Sequence, residues 1–218
     1  MTGGPVSDLP RLDVEFVSSA PDLAGCPPEA GREVAVAGRS NAGKSSVLNR
    51  LTGSRHTARV SKTPGRTQLL NFFDVKSGGR LVDLPGYGYA KAQRAAQSVW
   101  QAAVNEYLSH RDALIGLVLV MDIRHPLQDF DRELLSWAAA SELPVRVLLN
   151  KADKLGRGAQ SKTLAQVRRA LQDLPLVSVQ CFSATAGQGV PELLNTLLDW
   201  LTEPAETTPY PGGDALND

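Results

Sequence analysis

The chain has 218 residues, 42% hydrophobic and 21% charged, with 23 basic side chains balancing 23 acidic ones, the profile of one ordinary globular domain able to bury a full core. No apolar run approaches the ~20 residues a membrane span needs, and no charged-then-apolar leader opens the chain, so the expected address is cytoplasmic. Cys26 and Cys181 form no CxxC, which argues against a disulfide framework or a zinc site, and Cys181 reads as a small hydrophobe in an apolar run.

Residues 1–12 read as a flexible tail, residues 13–17 as an alternating edge strand, and the proline-rich residues 21–31 as a loop. The apolar run 34–37 then leads as a buried strand into Gly38-Arg39-Ser40-Asn41-Ala42-Gly43-Lys44-Ser45-Ser46. This is G-x-x-x-x-G-K-S, and Val47, Leu48 and Leu51 follow at helical spacing. Glycines here let successive N–H groups turn toward phosphate oxygens, and the new helix adds its positive end. Lys44 brings a point charge to the outer phosphates, and the Ser45 hydroxyl is a candidate ligand for Mg²⁺.

Residues 52–67 form a long, polar, non-periodic loop centred on Pro64-Gly65, a length that inside a compact domain points to function or mobility. The charge is uneven here. Between Arg50 and Arg94 there are nine basic residues and two acidic ones, a local +7. A polyanionic partner accounts for it, and so does a solvated face with loop charges that serve the bound nucleotide; both readings stay open. Residues 68–75 and 80–84 then read as two strands joined by the Ser77-Gly78-Gly79 turn, an antiparallel hairpin.

A helix is expected over roughly 91–108 and a strand buried on both faces over 114–121. Helices over 130–141, 161–174 and 191–201 alternate with strands over 145–149 and 176–182. The pattern predicts a three-layer α/β fold of the P-loop NTPase kind, with a mostly parallel sheet, one antiparallel edge strand and ligands at the strands' C-terminal ends. One G domain over 13–202 and a flexible tail over 203–218 complete the expected organisation.

Four further elements stand in the order a guanine-nucleotide switch requires. Asp83-Leu84-Pro85-Gly86 is D-x-x-G at a strand end, where Asp83 can hold Mg²⁺ through a water and the Gly86 N–H can bond the γ-phosphate of GTP. Thr67, in Gly65-Arg66-Thr67-Gln68-Leu69, can bring its hydroxyl to the same metal and its N–H to the γ-phosphate. Asn150-Lys151-Ala152-Asp153 follows an apolar strand. The Asp153 carboxylate can accept from the N1–H and the exocyclic amine of guanine, a donor pair adenine lacks, while Lys151 packs its stem along the base and Asn150 braces the loop. Phe182-Ser183-Ala184 ends the last strand where a backbone N–H could meet the guanine O6. Lys44, Thr67 and Gly86 are the expected catalytic groups.

Together these five elements resemble the GTPase fold of translation-factor and Ras-like proteins. Residues 38–49 are similar to the TrmE–Era–EngA–YihA–septin group. Lys62-Thr63-Pro64-Gly65-Arg66-Thr67-Gln68, Asp83-Leu84-Pro85-Gly86-Tyr87-Gly88-Tyr89-Ala90 and Met121-Asp122-Ile123-Arg124-His125-Pro126 closely resemble the EngB (YihA/YsxC) family over about residues 16–200. The resemblance implies a bacterial GTP-binding protein that serves large ribosomal subunit assembly and is tied to cell division and septation.

Where Ras-like proteins carry the glutamine that orients the attacking water, this chain has Tyr87, which predicts slow intrinsic hydrolysis. Asn41 could help hold K⁺ near the phosphates or could merely shape the loop. Lys62, Arg66, Lys91 and Arg94 are the candidate contacts to ribosomal RNA, and a monomer without membrane attachment is expected. A P-loop kinase is disfavoured by Asn150-Lys151-Ala152-Asp153, and a septin-like structural or division-protein-binding GTPase by the lack of any flanking coiled coil. His56, His110 and His125 match no metal spacing, and Trp100, Trp137 and Trp200 read as helix residues that pack into the core.

Overall fold

The computed structural model describes residues 10–53, 69–87 and 94–202. Seven strands, β1 (Val14–Ala20), β2 (Glu33–Gly38), β3 (Leu70–Val75), β4 (Arg80–Asp83), β5 (Leu114–Asp122), β6 (Val145–Asn150) and β7 (Val177–Cys181), form one sheet in the order β1-β3-β4-β2-β5-β6-β7. Strands β4, β2, β5, β6 and β7 pair in parallel, whereas β3 runs against both of its neighbours, β1 and β4. The tight β3–β4 turn produces that reversal, and Gly78 and Gly79 both take the positive φ it needs.

Five helices cover the two faces: α1 (Lys44–Thr52), α2 (Arg94–His110), α3 (Asp129–Ala140), α4 (Arg157–Ala170) and α5 (Val190–Thr202). The central strands are apolar at consecutive positions because both faces are covered, and alternation sorts them. Ala35, Ala37, Leu117, Leu119 and Met121 pack with Val104 and Tyr107 of α2, Leu135 of α3 and Val167 of α4. Val34, Val36, Val118 and Val120 pack with Leu48 and Leu51 of α1 and Leu193 and Leu197 of α5. Gly116 is a point of close approach, since a Cβ there would lie 2.6 Å from the Trp200 ring. Trp137 and Trp200 pack against the core as expected, as does the half-buried thiol Cys181. Burial pushes the other free thiol, Cys26, up to about 11.

Helix α4 begins and ends one turn earlier than the sequence pattern predicts. Its first turn, Arg157-Gly158-Ala159-Gln160, is exposed but for the half-buried Gln160 and so carries no apolar signal, while Leu171 and Leu174 turn back into the core beyond its end.

At the sheet end where β2 starts lies a buried ionic cluster. Glu33 is fully buried and accepts from Arg80 Nη1 (3.2 Å), Arg111 Nε and Nη2 (2.9 and 2.7 Å) and the Tyr107 hydroxyl (2.9 Å). Arg80 also bonds Asp74 and the Pro28 carbonyl, and Arg111 bonds the Pro27 carbonyl. The cluster satisfies two buried guanidiniums and ties the end of α2 to β2, β4 and the loop before β2.

Candidate nucleotide site

All the parallel strands end on one edge of the sheet, and the described candidate residues collect there. Gly38 closes β2, residues 39–43 form the loop, and Lys44, Ser45 and Ser46 open α1. Gly43 sits at φ 97°, and a Cβ on it would run into the Asn150 amide, so only glycine fits. Among the described residues no acceptor meets the N–H groups of Asn41, Gly43, Lys44 or Ser45. Four open donors at a helix N-terminus make a cradle for a phosphate.

Asp83 ends β4, and its buried carboxylate accepts from Lys44 Nζ. Leu84 and Pro85 continue to Gly86, whose N–H has no acceptor among the described residues. Tyr87 then bridges to the phosphate loop, with Ser40 N–H donating to its carbonyl at 2.6 Å. Gly65, Arg66, Thr67 and Gln68 lie outside the described residues, as do Lys62 and Lys91; Leu69 is described just before β3, and Arg94 opens α2.

The base end is built from the loops after β6 and β7. Asn150 is 2% exposed and donates from Nδ2 to the Ala42 carbonyl (2.9 Å), while its buried Oδ1 has no partner among the described residues. Lys151, held at φ 63°, donates to the Asn41 carbonyl next to it. Two consecutive residues of the base loop therefore staple two consecutive carbonyls of the phosphate loop. Ala152 N–H bonds the Phe182 carbonyl, and Ser183 Oγ donates to Asp153 Oδ1 at 2.6 Å. That bond, with Lys154 beside it, holds the Asp153 carboxyl below its ordinary range, so it is ionised and acceptor-only at neutral pH. The Ala184 N–H has no acceptor among the described residues.

Against this geometry the comparisons with known proteins are specific. A family model described as "50S ribosome-binding GTPase" matches residues 33–151. A GTP-binding protein EngB of Enterobacter sp. (strain 638) is 55% identical over 193 residues, covering 87% of this chain and 93% of its own length. The EngB protein of Tolumonas auensis is 52% identical over 204 residues, 92% and 96% of the two chains. The chain belongs to the EngB family of GTP-binding proteins. GTP binding and GTP hydrolysis come with that membership. A crystal structure of an EngB protein shares the fold, with TM-score 0.64 and 23% identity over 79% of this chain and all of that one.

Within this EngB family member, Tyr87 is not free to handle water. Its ring is 3% exposed and stacks on Phe130 with centroids 4.4 Å apart, and its hydroxyl donates to Asp131 Oδ1 at 2.6 Å. Burial foremost, then the Asp131 charge, pushes its phenol far above the ordinary value, and burial raises Asp131 as well. Asp131 also accepts from the Gln128 N–H in a reciprocal cap of α3. Tyr87→Phe should leave kcat for GTP within twofold. It should lower the melting temperature by about 2–12 °C, because a buried acceptor losing its donor costs about 1–3 kcal/mol. A large loss of kcat with unchanged melting would reverse that assignment.

Sequence reasoning missed Asp131, the Glu33 cluster and the contacts of Asp122, which a cleft of about 410 Å³ between the phosphate loop and the end of β5 exposes to view. No helix among the described residues is long and apolar enough to cross a membrane. His110 and His125 are exposed, as expected of surface or loop residues, and His56 lies outside the described residues.

Proposed function

We propose that this chain is a cytoplasmic, GTP-gated switch in large ribosomal subunit assembly. It works as a single G domain over residues 13–202, is slow in hydrolysis on its own, and is needed for normal cell division and septation. The observation that carries the ribosomal part is the match to a ribosome-binding GTPase model from residue 33 through the phosphate loop to residue 151. The local +7 charge between Arg50 and Arg94 supports an RNA partner.

In this reading the open N–H groups of Asn41, Gly43, Lys44 and Ser45, with the Lys44 ammonium, hold the phosphates, and Asn150, Lys151, Asp153 and Ala184 hold guanine. Ser45, Thr67 and, through water, Asp83 would hold Mg²⁺; hydroxyl and carboxylate oxygens suit that ion. The metal would supply charge neutralisation for phosphoryl transfer. Phosphate oxygens draw Lys44 away from Asp83, which frees the carboxylate for the metal's water. The Gly86 N–H meets the γ-phosphate, a bond that GTP offers and GDP does not, so the chain beyond Gly86 can report which nucleotide is bound.

Co-sedimentation with purified large subunits, comparing a non-hydrolysable GTP analogue with GDP at fixed salt, tests the switch. Binding with the analogue alone is expected. Equal binding, or none, removes the ribosome from the reading and leaves the GTPase in place.

Asn41 adds a cation. It stands exposed in the left-handed region at φ 66°, and its side-chain amide makes no bond among the described residues, so its oxygen is open to K⁺ beside the phosphates. GTP turnover should be faster in potassium than in sodium, and equal rates would eliminate the cation role.

A further inference from the structure

Asp122, the last residue of β5, has no part in the nucleotide contacts assigned above. It belongs to the stretch Met121-Asp122-Ile123-Arg124-His125-Pro126, whose role the site description leaves open. Its carboxylate accepts four hydrogen bonds. Three come from Arg124: its backbone N–H at 3.0 Å and Nε at 2.9 Å on Oδ1, and Nη2 at 2.6 Å on Oδ2. The fourth comes from Lys151 Nζ, at 3.0 Å on Oδ2. The same ammonium donates to the Asn41 carbonyl of the phosphate loop. The three strand ends β5, β6 and β2 thus meet at one lysine.

We propose that Asp122, oriented by Arg124, is a positioning residue for guanine-nucleotide affinity: it fixes Lys151 so that the lysine stem is already a floor for the purine ring before nucleotide arrives. This deepens the guanine reading of the base loop and rests on it. Asp122 does not touch the base itself.

A lysine side chain carries much rotamer entropy, which an untethered Lys151 would surrender on binding. Two anchors on Nζ remove most of that loss in advance, as preorganisation generally does. The bidentate Arg124 fork leaves the carboxylate no other rotamer and offsets its charge, so one acceptor stays aimed at Lys151. The Arg124 bonds foremost, and Lys151 as well, hold the Asp122 carboxyl well below its usual range, so the clamp is intact throughout neutral and mildly acid pH. Lys151 sits in a left-handed conformation that non-glycine residues seldom adopt, which is consistent with a backbone fixed for the sake of its side chain.

The test is Asp122→Asn in the full chain, measured with GDP, with inorganic tripolyphosphate and by steady-state GTP turnover. The expected result is a GDP Kd weakened about tenfold, mostly through faster release, with kcat at saturating GTP within twofold and tripolyphosphate binding unchanged. Arg124→Ala, on an exposed side chain, should show the same pattern at about two- to fivefold and covers the case in which the first variant folds poorly. A GDP Kd within twofold of wild type in both variants overturns the proposal. Parallel losses for GDP and tripolyphosphate also overturn it, because they mark damage to the phosphate loop rather than to the purine floor. Wild-type protein that binds ADP as well as GDP would instead remove the guanine reading on which the proposal rests.

Discussion

Asp153→Asn is expected to weaken GDP and GTP binding by about 10⁴-fold and to make xanthosine diphosphate the preferred ligand. The carboxylate is acceptor-only, and Ser183 already occupies Oδ1, with Lys154 beside Oδ2 at 3.3 Å. An ionised group in that setting rewards two donors on one purine edge. An asparagine presents a donor to guanine's own N–H and an acceptor to only one of the two groups. Xanthine, with a carbonyl in place of the exocyclic amine, accepts the new amide hydrogen. The Ser183 bond survives the exchange because the asparagine oxygen still accepts it, so the fold should not suffer. Competition against a fluorescent GDP, with GDP and xanthosine diphosphate as competitors, reads the inversion. Unchanged preference for GDP would mean that the base is recognised elsewhere.

The second large effect is on stability. Glu33→Ala should lower the melting temperature by about 6–20 °C while leaving the Kd for GDP of the folded protein unchanged. Removing this carboxylate takes the fully buried acid from the guanidiniums of Arg80 and Arg111, 4% and 8% exposed, and from the Tyr107 hydroxyl, leaving Arg80 with the exposed Asp74 and Arg111 with Glu29 at 3.7 Å. Breaking a buried ion pair by removing one partner costs about 3–5 kcal/mol, which corresponds to that temperature range for a domain of this size. The nucleotide affinity is spared because the cluster sits at the end of the strands away from the phosphate loop. A melting point within about 2 °C of wild type would show that water or another acceptor replaces Glu33.

What was legible in the sequence is what is local. The phosphate loop, Asp83 to Gly86 and Asn150 to Asp153 are short contiguous runs, each placed by the apolar strand before it, and chain order alone brings them to one sheet edge. The paired carbonyl staples from Asn150 and Lys151 to residues more than a hundred positions away carry no such local trace. Neither do the contacts of Glu33, whose partners lie 47 to 78 residues distant, nor the Tyr87–Asp131 bond. Arg80 reads as an ordinary strand-start cation and Tyr87 as a missing catalytic glutamine. Each takes its meaning from a partner that only the folded sheet supplies. The early start of α4 was hidden for a different reason, since solvent-facing helix turns need no apolar residue to mark them.

The Glu33 cluster has a mechanical side as well. Tyr107 and Arg111 fasten α2 at its C-terminal end, and the 17 residues of that helix extend about 25 Å back toward the edge where Gly86 lies. A rod pinned at one end behaves as a lever, and a tilt of about 5° around that fulcrum sweeps the opposite tip by about 2 Å. Any tilt of the helix is therefore largest at the tip away from the cluster and smallest at the pinned turn.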